Sequence, residues 1–562
     1  MRAVHPGLYS IHTCMYISQD LGRIQQQSMA AATAVTDLHA SWRPRYNPWL
    51  VAFTVTLATF MEVLDTSIAN IALPHIAGTF GASINESTWV LTSYLVSNGI
   101  VLPISAWLAT RFGRKRYYMS CVVLFAGSSF LCGLAPTLGM LVFFRILQGV
   151  GGGGLQPSEQ SILADTFLPS QRGMAFSMYA MAVVLAPAIG PTIGGWITDN
   201  YNWRWIFYIN VPISLISLYM THRFVEDPPY LKEERTKSEK GGIDYVGLGL
   251  VALGVGTLQM VLDKGQELDW FSSHFILGGT MIASIILMVW VWWEWRHPHP
   301  IVELRLLKRR NLATAMFSMV MLGSVLYGTT VLLPEFLQTL MGYSAAQAGE
   351  CMALGGFLMM LTMPLAGALS GKMDARYLLV IGYAATSLGL YHMATHLSLS
   401  MDFGTAAMLR TYQVAGLAFI FIPSNVLCYA GIPREKNNQV ASMMNFVRNV
   451  GGSAGIAIVS TMVTRATQRR QNYLSANMQN GNPRFREMLE GLVATLRGQG
   501  ISAADATHQA YGRLAMMMQQ QASALAFRDV VSILAVVVAC LIPLAFLMQK
   551  PSEVLRDAPP PH

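Results

Sequence analysis

Charge is scarce in this sequence. Only 12% of its 562 residues are Asp, Glu, Lys or Arg, while 53% are hydrophobic and the mean hydropathy is +0.41. A water-soluble domain carries about 25% charged residues, so this composition excludes a large soluble enzyme or binding domain and places the chain in lipid. Cysteine is also sparse: Cys14, Cys121, Cys132, Cys351, Cys428 and Cys540 are scattered without paired spacing, which points to neither a disulfide framework nor a zinc site. No phosphate-binding loop is present, because the run Gly151–Gly154 follows no strand and leads into no Gly-Lys-Ser/Thr. Any uphill work must therefore draw on an ion gradient, and no cofactor, metal or enzymatic centre is expected. The net charge of +8 sits in short clusters between apolar runs and forms no continuous basic face, which argues against nucleic acid. The first 46 residues hold no apolar run long enough for a signal peptide. Met29 lies among them, and translation beginning there is one expectation.

What the chain has in quantity is apolar runs of spanning length, ~20 residues each. They are expected near 49–72, 88–109, 117–137, 139–163, 174–198, 205–222, 244–263, 274–293, 312–334, 347–370, 377–396, 404–430, 439–463 and 525–548, fourteen in all. Lysine and arginine set the orientation. With the N-terminus inside, the cytoplasmic connections hold Arg111 to Arg116, the charged segment from Arg223 to Lys240, Lys308 to Arg310, Lys372 with Arg376, and Arg434 with Lys436. The opposite connections at 74–87, 136–138 and 335–346 hold no lysine or arginine, so both termini are expected in the cytoplasm. Segment 464–524, with its seven arginines, is expected outside as a long loop with an amphipathic helix around Leu514–Leu525. Long loops translocate largely regardless of charge.

A repeat is legible across the chain. Pro103 to Arg116 aligns with Pro364 to Arg376, Arg145-x-x-Gln148-x-x-Gly151 with Arg410-x-x-Gln413-x-x-Gly416, and Gly190-x-x-x-Gly194 with Gly451-x-x-x-Gly455. The offsets are 261, 265 and 261 residues, which is about 33 per unit if eight helices intervene, a natural length for a span with its connection. Six plus six helices with two inserted between them follow, the halves being parallel repeats about an axis normal to the membrane. The expected segments are an N-terminal extension 1–46, a first bundle 47–223, a loop with two inserted helices 224–311, a second bundle 312–548 and a tail 549–562.

This arrangement, with the motifs Leu64 to Pro74, Trp89 to Tyr94, Arg145 to Pro157, Ala186 to Gly195 and Trp203 to Pro212, resembles the major facilitator superfamily, in particular its fourteen-helix drug:proton antiporter branch, the EmrB/QacA type. The resemblance covers roughly residues 45 to 550. It implies an all-α membrane fold, proton-coupled efflux of lipophilic drugs or other toxic small molecules across a bacterial inner membrane, and a periplasmic adaptor and outer-membrane channel as partners. A same-fold exporter dedicated to one natural metabolite, siderophore or fatty acid is the alternative. In the loop after the second helix, where the family usually has a glycine and an acidic residue, this chain has Ala106 and Thr110.

Ionisable side chains inside a membrane are expensive and mark function. Glu62 and Asp65 stand at i and i+3, so one face of the first helix presents both carboxylates. Such a pair can take up a proton on one side and release it on the other, or hold a cationic drug. Arg145, Gln148, Gly152, Gln156, Glu159 and Gln160 draw a polar stripe through the fourth span. Arg145 resembles the family arginine implicated in proton coupling and is the expected partner of Asp65; Gln148, Gln156 and Glu159 are expected to join Glu62, Asp65 and Arg145 in proton coupling or substrate binding, with an interfacial charge towards the cytoplasmic end as the alternative for Glu159. Arg410, Gln413, Asn445 and Arg448 are expected to line the cavity from the second half, and Arg111, Gly113, Arg114 and Lys115 to form a gating loop. The block Pro187, Gly190, Pro191, Gly194 and Gly195 resembles the family's antiporter signature and is expected to seal the two halves. His392 and His396 at i and i+4 are too few to hold a metal.

Overall fold

The computed structural model describes residues 42 and 44–549 apart from 241 and 480. Met29 and most of the N-terminal extension and C-terminal tail lie outside the described residues, which form helices, turns and connections and no strand. The long helices are α1 (Pro48–Phe80), α2 (Trp89–Phe112), α3 (Arg114–Leu134), α4 (Leu138–Gly152), α5 (Leu155–Thr166), α6 (Arg172–Asn200), α7 (Asn210–Phe224), α8 (Tyr245–Lys264), α9 (His274–Arg296), α10 (Arg310–Thr339), α11 (Ala345–Ser370), α12 (Ala375–His396), α13 (Phe403–Ala415), α14 (Ala418–Leu427), α15 (Asn437–Ser475), α16 (Pro483–Gly498) and α17 (Ala503–Ala539).

Local sequence explains the ends. The Asn47 side chain accepts from the Trp49 N–H, with Pro48 at the first helical position, and Gly81 closes α1 at φ +62°. Ser344 and Gln347 form a reciprocal capping box at the start of α11. Pro74 lies inside α1, so the Asn70 carbonyl four residues back lacks its usual donor.

Twelve helical stretches among the described residues are long and apolar enough to cross a membrane, or up to thirteen when the bent pair Arg172–Pro187 and Thr192–Asn200, 43° apart, counts as one span. The stretch expected at 205–222 arrives as a four-residue turn of helix, Trp205–Tyr208, followed by the fifteen residues of α7, which packs on α1 and α3. Fourteen crossings thus need this broken stretch to count as well. The expected loop 464–524 is mostly helical. Beyond residue 463, where apolar character fades, α15 runs on to Ser475; α16 follows, and α17 starts at Ala503. Apolar run length marks what lies in lipid, whereas backbone hydrogen bonding continues wherever a partner helix covers the face, and α17 packs along both α15 and α16.

Within the halves, α1 packs on α6 and α10 on α15; between them, α2 meets α15 and α6 meets α11. The inserted pair α8 and α9 packs on itself, and α8 also touches α2 and α15. Small residues make the close crossings possible. A Cβ on Gly455 would lie 2.3 Å from the Ser324 Cα of α10, whereas Gly491 on α16 has nothing within 4 Å. Gly455→Ala is therefore expected to cost about 1–3 kcal/mol by overpacking and to lower the thermal unfolding midpoint of the purified protein. Gly491→Ala, at an exposed position inside α16, should leave that midpoint unchanged or slightly raised, and equal midpoints for the two variants would refute this account of the crossing.

Candidate functional site

Depth in the bundle is set by α1. Asp65 and Glu62 are both buried, at 2% and 4% exposure, yet one helical turn separates two different environments. Asp65 turns into its own half. Its Oδ2 accepts from Arg145 at 2.6 Å, and its Oδ1 accepts from Gln148 Nε2 at 2.9 Å and Asn210 Nδ2 at 2.6 Å. Arg145 also donates through Nε to the Val90 carbonyl at 3.0 Å and through NH1 to Gln148 Oε1 at 2.9 Å, and its guanidinium lies 4.3 Å from the Tyr94 ring centroid. The pair is dry: its side chains are 0% and 1% exposed. A buried charge persists only when its partner and hydrogen bonds offset the lost hydration; both Asp65 oxygens are satisfied, while Arg145 NH2 has no hydrogen-bond partner among the described residues.

Glu62 turns towards the seam between the halves. Its Oε1 accepts from Tyr94 OH at 3.2 Å and Asn98 Nδ2 at 3.1 Å, and its Oε2 from Gln156 Nε2 at 2.6 Å. Among the described residues no cation touches it directly. Gln156 Oε1 in turn accepts from Arg448 of α15 and from Tyr179 OH of α6, the latter at 3.0 Å. Arg448 donates to Tyr179 OH and to Asn445 Oδ1, each at 2.9 Å, and Asn445 Nδ2 donates to Gln160 Oε1 at 2.9 Å. The carboxylate of α1 thus ends a polar chain that crosses into α15.

Glu159 is not interfacial. It is fully buried at 0% exposure, with Oε1 accepting from Thr56 at 2.6 Å and Oε2 without a partner among the described residues. The reason is packing: α5 is covered along its whole length by α1, α6 and α15, so its polar stripe meets helices and never water.

The repeat carries through to geometry. Arg410 NH1 donates to Gln413 Oε1 at 2.6 Å, as Arg145 does to Gln148, but its other partners are Thr329 and Thr330 hydroxyls at 3.0 and 2.8 Å. The offset from Arg145 to Arg410 is 265, and adding it to position 65 gives Thr330. Where a carboxylate faces the arginine of the first half, hydroxyls face the arginine of the second.

A cavity of about 390 Å³ opens between the halves, lined by residues that include Asn70, Pro187, Thr330, Glu335, Met352 and Arg410. Of the expected second-half residues only Arg410 borders it; Gln413 packs on Arg410, and Asn445 and Arg448 lie in the seam. Neither Glu62 nor Asp65 reaches the cavity lining.

At the opposite end the halves close. Arg114 NH1 donates to Asp165 Oδ2 at 2.5 Å, and Asn437 Nδ2 of α15 donates to Asp165 Oδ1 at 2.6 Å. Gly113 takes φ +89°, which lets the Lys115 N–H reach Asp227 Oδ1 at 2.9 Å, and Arg111 stacks 5.8 Å from the Trp107 ring centroid. A Cβ on Gly367 of α11 would lie 2.7 Å from the Gly173 carbonyl of α6.

The proline–glycine block makes a different contact from the one expected. A Cβ on Gly190 would lie 2.3 Å from Ser67 Oγ, and one on Gly194 3.0 Å from Ile68, both on α1 of the same half. These glycines bring α6 onto α1 and not across the seam, Gly195 has nothing within 4 Å, and the side chain of Pro191 lies outside the described residues. The His392 and His396 rings lie with centroids 4.1 Å apart at a tilt of 44°, and no group of three metal-ligating side chains exists among the described residues. Sequence reasoning missed Tyr179, which stands in an apolar span without a motif, and gave no role to Asn210 or Tyr94, though both lie in the motif runs.

The family model described as Major Facilitator Superfamily matches residues 55–456. The multidrug export protein EmrB of Escherichia coli (strain K12) is 37% identical over 81% of this chain and 88% of that protein. The fatty acid resistance protein FarB of Neisseria gonorrhoeae is 36% identical over 89% of this chain and 96% of its own. Among solved structures, the proton:xylose symporter XylE is similar with a TM-score of 0.56 at 16% identity, covering 92% of this chain and all of that one, which speaks for the fold alone.

Proposed function

The chain belongs to the Major Facilitator Superfamily, and on that premise we propose that it exports lipophilic toxic compounds in exchange for protons, by alternating access between two six-helix bundles, 47–223 and 312–548. The observation that carries this reading is the buried Asp65–Arg145 pair at 2.6 Å, one turn from a second carboxylate whose hydrogen-bonded partners cross into the other half. In the state described, the carboxylates are sealed from the cavity and the gating end is shut. Parting of the halves at the seam separates Gln156 from Arg448 and Tyr179, and that exposes Glu62 first. Asp65, held wholly within its own half, exchanges its proton against the Arg145 guanidinium. Substrate entering from the inner side once the Arg114–Asp165 end has opened then drives the return, and it leaves through the outward cavity.

The charge distribution supports a bacterial inner-membrane placement with both termini in the cytoplasm, so that the Arg114–Asp165 end faces inward and the cavity outward. The multidrug export relatives support a broad substrate range, and the periplasmic adaptor implied by the family resemblance would dock at the α15–α16–α17 end. The fatty acid resistance relative favours a second reading, export of one amphiphilic natural compound.

Expression in a pump-deficient double-membraned host, alone and with its adaptor, followed by a growth-inhibition panel, separates the two. Resistance raised at least about fourfold to several unrelated lipophilic compounds is the expected result. Resistance confined to one chemical class favours the dedicated exporter, and no change for any compound or fatty acid would sink both.

A further inference from the structure

Between the connection joining α8 to α9 and the outer stretches of α15 and α17 lies a second cavity of about 410 Å³, lined by residues that include Trp270, Phe271, Ile458, Arg465, Arg469 and Ile533. The transport reading above makes no use of it. Its wall changes character along one helix face: Ile458 and Met462 fall in the apolar part of α15, and Arg465 and Arg469 follow at +7 and +11 from Ile458. On α17 the same change occurs, with Val530 and Ile533 on the apolar side and Asp529 at the boundary.

The charges do not cancel inside the groove. Asp529 is already held by Arg470, which donates through Nε and NH2 at 2.9 Å each. Arg465 and Arg469 form no hydrogen bond or ion pair among the described residues, so two guanidiniums face the groove without an anion.

Asp269 and Trp270 have φ of +55° and +49°, the only non-glycine residues with positive φ among those described. Two consecutive side chains in this region are strained, and such strain persists where the surroundings over-determine it, commonly at binding sites. Here it is pinned by the Trp270 indole N–H, which donates to Thr461 Oγ1 at 2.7 Å and to Gln266 Oε1 at 3.1 Å. The ring is thereby fixed as a wall at the level where apolar surface gives way to charge, a level at which tryptophan is favoured.

We propose that this groove is a site for an anionic phospholipid. Arg465 and Arg469 take the phosphate, for which the guanidinium fork is suited. The acyl chain lies along Ile458, Met462 and Ile533 against Trp270. Occupied in this way, the lipid fastens the inserted α8–α9 hairpin to α15 and α17.

The test uses the full chain, equilibrated in vesicles of equal phosphatidylglycerol and phosphatidylcholine, repurified, and its retained lipid counted by mass spectrometry. The native protein is expected to retain phosphatidylglycerol preferentially. Arg465→Gln/Arg469→Gln should weaken that preference at least about tenfold, as expected for loss of charge-assisted hydrogen bonds, while Arg465→Lys/Arg469→Lys keeps most of it. Both arginines are exposed, so folding is not at stake. An unchanged preference in the double glutamine variant overturns the proposal. So does complete displacement of the lipid by millimolar inorganic phosphate, which would make the groove an anion site indifferent to the acyl chain.

Discussion

Asp65→Asn abolishes substrate-driven proton release in proteoliposomes under a pH gradient, with uphill transport falling at least about a hundredfold, while part of the substrate binding survives. Asparagine keeps the shape but has one acceptor oxygen where the carboxylate meets three donors, Arg145, Gln148 and Asn210. One donor must therefore face an amide N–H, and Arg145 loses its only ion-pair partner. Breaking one side of a buried pair costs about 3–5 kcal/mol, and each 1.4 kcal/mol is about tenfold, which sets the scale. The companion variant Glu62→Gln keeps the Asp65–Arg145 pair and disturbs the chain through Gln156 to Arg448. If transport and proton release persist in Asp65→Asn but vanish in Glu62→Gln, the two roles are exchanged. Survival of both activities in the double variant makes the pair structural and moves the coupling site elsewhere, with Glu159 next because one of its oxygens has no partner among the described residues.

The second large effect is at the closed end. Asp165→Ala leaves Arg114, only 2% exposed, without its carboxylate and removes the acceptor of Asn437 from the other half. A cost of about 3–5 kcal/mol is expected, and because Asn437 links the halves, much of it falls on the closed state alone. Spin labels at positions 116 and 372, both exposed, should report a longer distance and a population shift of at least about tenfold towards separation. The labelling background needs Cys540 replaced, the one exposed free cysteine among those described. Adding Arg114→Ala to Asp165→Ala should recover part of the loss, since no buried charge then stands alone. An unchanged distance distribution in Asp165→Ala would show that Asp165 only steadies its own half.

The repeat offset of 265 located Arg410 and Gln413 without any coordinates, and their mutual hydrogen bond reproduces that of Arg145 and Gln148. Pairing of Asp65 with Arg145 was likewise legible, since an arginine inside an apolar span must find an acid and the first span offered one. Glu62 was harder. The i, i+3 spacing put it on the same face as Asp65, but about 60° of rotation separates such positions, enough for Asp65 to meet α4 and α7 while Glu62 meets α2, α5 and the seam. For Glu159 the sequence leaves a coupling role and an interfacial charge both open; only the structure shows that neighbouring helices bury it, which distance along a span does not encode.

Composition and periodicity alone determined that this chain lives in a membrane, that its helices come as a tandem repeat with two inserted, and which few ionisable residues stand in apolar surroundings. These are properties of single segments, decided by the cost of putting polar groups into hydrocarbon. Tertiary structure decided what each of those residues touches. It placed the glycine block of α6 against α1 and not across the halves, carried α15 as helix twelve residues past the end of its expected apolar run at 463, and joined Glu62 to Arg448 through Gln156. Such pairings depend on how helices rotate and cross, which is fixed by shape complementarity among residues hundreds of positions apart; no single span contains that information.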